Sequence, residues 1–129
     1  MIATQLDDFT RAYIEAALWS TNDESTPAGG EALENNYGLD DIAPETLAKI
    51  VADCAKFQAE NAADLATFSL HQFKAAVHGG YDFWFTRNGH GAGFWDGDWP
   101  EEAGERLTAA SEKFDEVWLY VGDDGNIYS

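Results

Sequence analysis

Apolar residues recur at steps of three and four in several segments of this chain, and that spacing constrains its fold more than any other feature. Such a stripe lies along one face of an α-helix. The first stripe predicts a helix over residues 4–19, and the second predicts a helix from Pro44 to about residue 67. The stripes consist of Leu6, Phe9, Tyr13 and Ala17, and of Leu47, Ile50, Cys54, Phe57, Asn61 and Leu65.

A third helix is predicted from its end signals. Ser69 and Gln72 match a capping box, and Gly79-Gly80 is typical of a helix C-terminus. We therefore expect a helix over residues 69–78 that ends at the glycine pair.

The segment YDFWFTRNGHGAGFWD, residues 81–96, has the features of a β-hairpin. Asn88-Gly89 is the dipeptide that best supports a two-residue type I′ turn, because both turn positions need a positive φ. With that turn, Trp84 would lie opposite Gly93 and cover its bare backbone. Both faces of the hairpin would carry aromatic rings, so one face would meet the helices and the other would need a second cover or a partner.

The remainder of the chain predicts one more helix and a small β-structure. The helix begins at Pro100, and a strand over 117–121, a tight turn at 123–125 and a short strand over 126–128 follow it. The expected fold is α+β in a single domain, 1–129. Its N-terminal helices pack on a small antiparallel sheet of about four strands, and one helix is inserted between the hairpin and the C-terminal strands.

Residues 20–43 form a long polar segment rich in Gly, Asn, Asp and Glu. A loop of this length inside a compact domain is either functional or packed by its own side chains. The candidates for such packing are Leu33, Tyr37, Leu39 and Ile42.

Size and cysteine content predict one reduced globular domain. The 129 residues, 45% of them hydrophobic, suffice for a core without cross-links. The single cysteine, Cys54, excludes an internal disulfide and the zinc sites that need paired thiolates. The first twenty residues carry two aspartates where a signal peptide is basic, and no apolar run approaches the roughly 20 residues of a membrane span. We therefore expect a cytoplasmic protein.

The formal net charge of −17 is concentrated at the two ends of the chain. Residues 1–48 hold ten acids and one base, and residues 96–129 hold ten acids and two bases, whereas residues 49–95 hold four of each. Such a field repels nucleic-acid phosphates and anionic membranes, so we expect no direct binding of either. A basic protein partner is favoured instead.

The histidines, carboxylates and cysteine give no catalytic or metal-binding pattern. His71 and His78 are two helical turns apart, about 10 Å along the predicted helix, which is too far for one metal unless His90 joins them. The Asp-Gly-Asp sequence at 96–98 lacks the oxygen ligands that a calcium loop needs next. Cys54 lies in a buried stripe. We expect a protein that is not an enzyme and has no cofactor or metal.

A ligand site at the hairpin tip remains as an alternative. There Arg87, Asn88 and His90 could hold a small anion, which would make the chain a ligand-binding domain or an enzyme. Glycine-rich phosphate cradles, however, sit between a strand and a helix, so the same residues are also explained as a turn with packing glycines.

The exposed acids have two explanations. Solubility, or adaptation to high salt, would account for them, but salt adaptation should spread acids over the entire surface. Alternatively, clustered carboxylates stand in for a row of phosphates and attract a nucleic-acid-binding protein. The predicted partner contacts are Asp96, Asp98, Glu101, Glu102, Glu105, Asp123 and Asp124.

A homo-oligomer, for example a homodimer, is a third hypothesis. It would use the uncovered aromatic face of the hairpin, with Trp84 and Trp95 in the interface. This hypothesis is compatible with binding of a basic partner.

Several blocks of the sequence resemble a widespread family of small proteins that are encoded by bacteriophages and other mobile elements. These blocks are ALWS at 17–20, NYGLDDIAPETL at 36–47, DCAKFQAEN at 53–61, DFWFTRNGHGAGFWD at 82–96 and LYVGDDGNIY at 119–128. The resemblance covers most of the chain, although Phe85 stands where a leucine is expected. It implies a setting in the cytoplasm of a bacterial host and no particular chemistry.

That setting gives the acidic surface a specific meaning. Small acidic proteins of phages often inhibit host defence, and DNA mimics of the anti-restriction and anti-CRISPR type offer carboxylates to sites built for phosphates. By this analogy, the resemblance implies that the basic partner is a nucleic-acid-binding defence protein.

Overall fold

The computed structural model of the chain describes residues 6–25, 29–68 and 74–129. Helices dominate this part of the chain, and two small antiparallel ladders complete it. The helices are α1 (Asp8–Ser20), α2 (Pro44–Glu60), α3 (Ala62–Leu65), α4 (Ala75–Arg87) and α5 (Glu101–Glu112). The strands are β1 (Asn22–Asp23), β2 (Glu31–Ala32), β3 (Tyr120–Val121) and β4 (Ile127–Tyr128).

The helices predicted from apolar stripes are confirmed. Asp7 caps α1 by accepting a hydrogen bond from the Thr10 amide at 2.8 Å. The second predicted helix is interrupted at Asn61, whose side-chain amide donates to the Phe57 carbonyl at 2.9 Å, so that α3 continues as a separate turn. Helix α5 follows Pro100, as its end signal predicts.

The glycine pair does not end a helix, contrary to the prediction. Gly79 and Gly80 lie inside α4, which packs mainly against α1. A Cβ added at Gly80 would overlap the carbonyl oxygen of Phe9 and touch Ala12, so glycine allows the two backbones to approach closely. Tertiary packing therefore overrides the low helix propensity of glycine. The predicted capping box at Ser69 and Gln72 lies outside the described residues.

The predicted hairpin at 81–96 is also wrong. Its first half is the C-terminal part of α4, and Asn88-Gly89 ends that helix. Gly89 has a φ of +69°, so the dipeptide supplies the left-handed residue that commonly follows a helix. Residues 88–100 then fold back along α4 without forming a strand, and the Phe94 amide donates to Thr86 Oγ1 at 3.2 Å.

The α+β class is confirmed, but the predicted sheet is not. Two separate antiparallel ladders, β1–β2 and β3–β4, replace the expected sheet of about four strands. The tight turn at 123–125 is present, with Gly125 at a φ of +83°. The α+β class does not depend on the hairpin, because the C-terminal strands also contribute β-structure.

The described part of the long segment at 20–43 is packed by its own side chains, which is one of the two alternatives that its length allows. Leu33 and Ile42 are buried, and Tyr37 and Leu39 pack partly buried against the core. Ile42 pairs with Ile127, and the Ala43 amide donates to the Ile127 carbonyl at 2.9 Å. The last strand is therefore joined to the segment that precedes α2.

The core is built largely from aromatic rings. Phe57 of α2 stacks on Phe83 of α4 with centroids 4.2 Å apart, and Phe9, Phe94 and Phe114 surround this pair. Burial of such rings is the main apolar contribution to the stability of the fold. Within the described ranges, no helix has both the length and the apolar character that a membrane crossing demands.

Candidate functional site

Arg87, predicted as part of a ligand site, has a structural position instead. Its side chain is 4% exposed, and Nη1 donates to Asp53 Oδ2 at 2.9 Å and to the Tyr13 hydroxyl at 3.2 Å. Nε and Nη2 both donate to the carbonyl of Asp115, at 3.0 and 2.6 Å. The guanidinium also lies over the Phe83 ring, 5.5 Å from its centroid. Its donors are thus directed at groups of the chain itself.

Asn88 and His90 line a cavity of about 400 Å³ that Arg87 does not line. Asn88 is engaged by the backbone, because its amide donates to the Trp84 carbonyl at 3.0 Å and its oxygen accepts from the Val117 amide at 2.8 Å. The structure therefore separates Arg87 from Asn88 and His90, since no hairpin is present to hold the three residues of the predicted site together.

The charge of this cavity opposes an anionic ligand. Glu24 and Glu116, both exposed, lie on its lining with Trp84, Trp118 and His90. Two carboxylates without the nearby arginine repel an anion, and they suit a cation instead. The anion-site hypothesis loses its main electrostatic support.

Metal or thiol chemistry gains no support from the described residues. In residues 6–25, 29–68 and 74–129, no group of three histidine, cysteine or acidic side chains could hold a metal ion. His71 lies outside those ranges. Cys54 is fully buried, and burial raises the pKa of its thiol far above the usual range.

His78 belongs to a cluster with two carboxylates and an indole. Its Nε2 atom lies 2.8 Å from Asp98 Oδ2 and 3.5 Å from Asp82 Oδ2. The Trp99 indole donates to the same Asp82 oxygen at 2.7 Å. Burial raises the pKa of Asp82 to about 6, against the lowering effects of Trp99 and His78, and the charges of Asp96 and Asp98 add to the rise. The cluster fastens the 88–100 loop to α4.

The seven acids that were predicted as partner contacts fall in two places. Five lie around the N-terminal end of α5: Asp96, Asp98, Glu101, Glu102 and Glu105. Asp98 is half-buried against His78, and the other four are exposed. Glu101 and Glu105 line a cavity of about 470 Å³ together with Trp95 and Trp99. Trp95 is 48% exposed, whereas Trp84, the other tryptophan proposed for a homo-oligomer interface, is 2% exposed.

The other two acids, Asp123 and Asp124, are exposed in the turn between β3 and β4. Asp124 accepts a hydrogen bond from the Tyr128 hydroxyl at 2.5 Å, and this bond lowers the pKa of the carboxyl and raises that of the phenol. The charge of Glu45 also raises the pKa of Tyr128. One acid near the start of α2 and one acid of this turn therefore both act on Tyr128.

The basic residues are placed where they neutralise few of these acids. Arg87 is buried, Lys74 pairs with Asp8 at 3.5 Å, and Arg106 pairs with Asp64 at 2.8 Å. Lys56 and Lys113 line a shared cavity between α2 and α5. Glu60 lies on the same lining, so these two lysines lie beside an acid outside the predicted contact group.

An exposed aromatic groove was not predicted from the sequence. It is lined by Trp19, Tyr81 and Phe85 together with Glu15 and Glu34, and it measures about 320 Å³. Trp19 is 60% exposed and meets the edge of the Phe85 ring at a centroid distance of 6.1 Å. One signal in the sequence was available, because Trp19 follows Glu15 by one helical turn on the polar face of the first helix.

Comparisons of the chain with models of known protein families, with curated proteins and with solved structures find no match. The resemblance to phage-encoded proteins therefore stays a prediction.

Proposed function

We propose that this chain is an accessory protein of a phage or other mobile element and that it binds a basic protein of its bacterial host without catalysis. The observation that carries this proposal is the placement of charge. The predicted contact acids are largely exposed, whereas the described bases Lys74, Arg87 and Arg106 are held in ion pairs with other acids.

Electrostatics favours such a partner in two ways. A strongly negative surface attracts a basic protein over distance and accelerates association, and it repels nucleic acid itself. The exposed carboxylates of Glu101 and Glu102 lie in the first turn of α5 and that of Glu105 lies in the next turn, so this end of the helix presents a group of negative charges. A site built for a phosphate backbone is complementary to such a group.

Solubility alone explains the charge less well. Lys49 and Lys56 are exposed two helical turns apart on α2, and Lys56 shares a cavity with Lys113. Acids that served only high-salt adaptation should cover the entire surface, whereas the outer face of α2 mixes Lys49 and Lys56 with Glu60 and is close to neutral. The segregation of charge therefore supports a binding surface.

The proposed partner is a nucleic-acid-binding defence protein, so that the chain would act as an inhibitor of the anti-restriction or anti-CRISPR type. This part of the proposal rests on the sequence resemblance and on the acidic surface together. The cytoplasm of the host cell is the compartment in which such a partner is met.

A pull-down from bacterial lysate with the tagged protein tests the proposal, run at low salt and at about 0.5 M salt, which screens exposed charges. We expect capture of a basic nucleic-acid-binding protein that is released at high salt and is displaced by duplex DNA. Capture that resists both salt and DNA, or the absence of any basic protein, would overturn acidic mimicry.

The association rate with the captured protein then locates the surface. Glu101→Lys should slow association because it reverses a charge in the α5 group, whereas Glu60→Lys makes the same charge change on the outer face of α2. Equal rates for the two variants would contradict the proposed placement of the surface.

A further inference from the structure

The groove formed by Trp19, Tyr81 and Phe85 combines aromatic walls with negative charge. Trp19 comes from α1, and Tyr81 and Phe85 come from α4. Glu15 on α1 and Glu34 on the turn after β2 are both exposed on its lining. Three separate elements thus place two carboxylates beside exposed rings.

The groove is already fixed in its shape. The Trp19 and Phe85 rings meet edge to face at an interplanar angle of 80°, and the Tyr81 hydroxyl donates to Glu15 Oε2 at 3.3 Å. That hydrogen bond orients the Glu15 carboxylate at the groove, and Glu15 is in no ion pair in the part of the chain that the structure describes. A ligand would therefore find the rings and the carboxylate in position.

Arginine is the side chain that this chemistry fits best. Its planar guanidinium stacks on aromatic faces and donates in pairs to carboxylates, whereas a lysine ammonium is a more strongly hydrated point charge. A second copy of the same chain is a poor occupant, because two molecules of net charge −17 repel each other.

We propose that this aromatic groove receives an arginine side chain of the basic partner. The inference rests on the proposed function and adds a specific anchor to it. Exposed acids speed the encounter, whereas a buried aromatic–arginine contact slows dissociation.

The cavity lined by Trp118, Glu24 and Glu116 continues this surface. His90 lies on its lining and contacts the Phe85 ring at a centroid distance of 5.5 Å, so the groove and the cavity adjoin. A segment with successive basic residues could therefore cross both.

The test compares two peptides of equal charge, nona-arginine and nona-lysine, in titrations of the full chain at low salt. Binding is followed by isothermal titration calorimetry and by the NMR chemical shift of the Trp19 indole N–H. We expect nona-arginine to bind several-fold more tightly than nona-lysine. Trp19→Ala, and separately the double variant Glu15→Gln with Glu34→Gln, should weaken nona-arginine about 3- to 30-fold, the range of cation–π contacts.

Trp95→Ala is the matched control, because Trp95 is also exposed and lies beside acids, but on a different cavity. It should leave the arginine preference unchanged, and circular dichroism should report native folding for all variants. Equal affinity for both peptides, or equal weakening by Trp19→Ala and Trp95→Ala, would overturn the groove proposal.

Two results would separate this inference from the proposed function, and a third, dimerisation through Trp19, would overturn the inference. If the host partner is still captured by Trp19→Ala with unchanged dissociation, the acidic surface stands and the arginine groove falls. If sedimentation shows a dimer that Trp19→Ala dissociates, the groove is an interface between copies of this chain and the proposal is wrong. If nona-arginine binds only through Trp19 but no basic host protein is captured, the groove stands and the proposed function falls.

Discussion

Arg87 Nη1 donates to Asp53 Oδ2 at 2.9 Å, and this bond ties the end of α4 to α2. The same guanidinium donates twice to the carbonyl of Asp115, so one side chain joins three segments that are distant in sequence. A charge so deeply buried is tolerated only because its donors have acceptors.

Arg87→Ala should lower the free energy of unfolding by about 3–5 kcal/mol, since it leaves the Asp53 carboxylate and the Asp115 carbonyl without their donor. Arg87→Lys should also destabilise, because an ammonium cannot reproduce the fork of donors. Arg106→Ala is the control, since its pair with Asp64 has a 59% exposed arginine and such surface pairs contribute about 1 kcal/mol or less. Urea unfolding measures all three, and equal losses for Arg87→Ala and Arg106→Ala would contradict the structural role of Arg87.

Gly80→Ala should destabilise the fold by about 1–3 kcal/mol, although alanine is the better helix former by about 1 kcal/mol. The added Cβ would overlap the Phe9 carbonyl oxygen, and backbone cannot move aside as a side chain can. Gly91→Ala is the matched control, because Gly91 is exposed and a Cβ there meets nothing within 4 Å. Thermal melts of the two variants should differ clearly; a stabilised Gly80→Ala would mean that α1 and α4 are not so close.

Asp82 should make stability fall as the pH rises from about 4 to about 6. Its folded pKa of about 6 lies above the ordinary aspartate pKa of 3.8, so the folded state holds this proton more tightly than the unfolded state across that window. Ionisation of Asp82 therefore costs stability, on the order of 3 kcal/mol. Asp82→Asn keeps an acceptor for the Trp99 indole. The free energy of unfolding of this variant should therefore rise relative to that of the wild type as the pH increases from 4 to 8.

Asp64→Asn tests the sign of that prediction. The hydrogen bonds from Arg106 lower the pKa of Asp64, so its contribution is present above the ordinary aspartate pKa and is lost as the pH falls. The variant should therefore lose stability relative to the wild type at neutral pH and match it in acid. Urea titrations at pH 4, 6 and 8 measure both variants, and parallel pH profiles for the two would refute the assignment.

The parts of the fold that the sequence predicts correctly are those with one buried face. Helices α1, α2 and α5 keep their charged side chains out of the core, so the period of their apolar residues is visible. Helix α4 is buried around most of its C-terminal half, where Asp82, Phe83, Trp84, Thr86 and Arg87 are all buried. The helical spacing of apolar residues is therefore not visible in its sequence. Gly79-Gly80 then indicates a helix end, and Asn88-Gly89 indicates a hairpin turn.

The candidate site is also only partly predictable from the sequence: the acids are, and the aromatic groove is not. The concentration of acids at the two ends of the chain is a property of composition, and folding changes it little. The aromatic groove is different, because Trp19 and Phe85 become neighbours only when α4 packs on α1. In the predicted fold, Phe85 lies in a hairpin and does not contact Trp19. The groove therefore could not be predicted once that one element was assigned wrongly.

The lysines that remain on α2 and near the end of α5 give the molecule an electrical polarity. Because five acids surround the N-terminal end of α5 while Lys49, Lys56 and Lys113 lie elsewhere, the charge is unevenly distributed and the chain carries a permanent dipole as well as a net charge. In the field of a strongly charged neighbour it experiences a torque, so it rotates before contact is made. The orientation of the encounter is therefore selected while the two molecules are still separated by water.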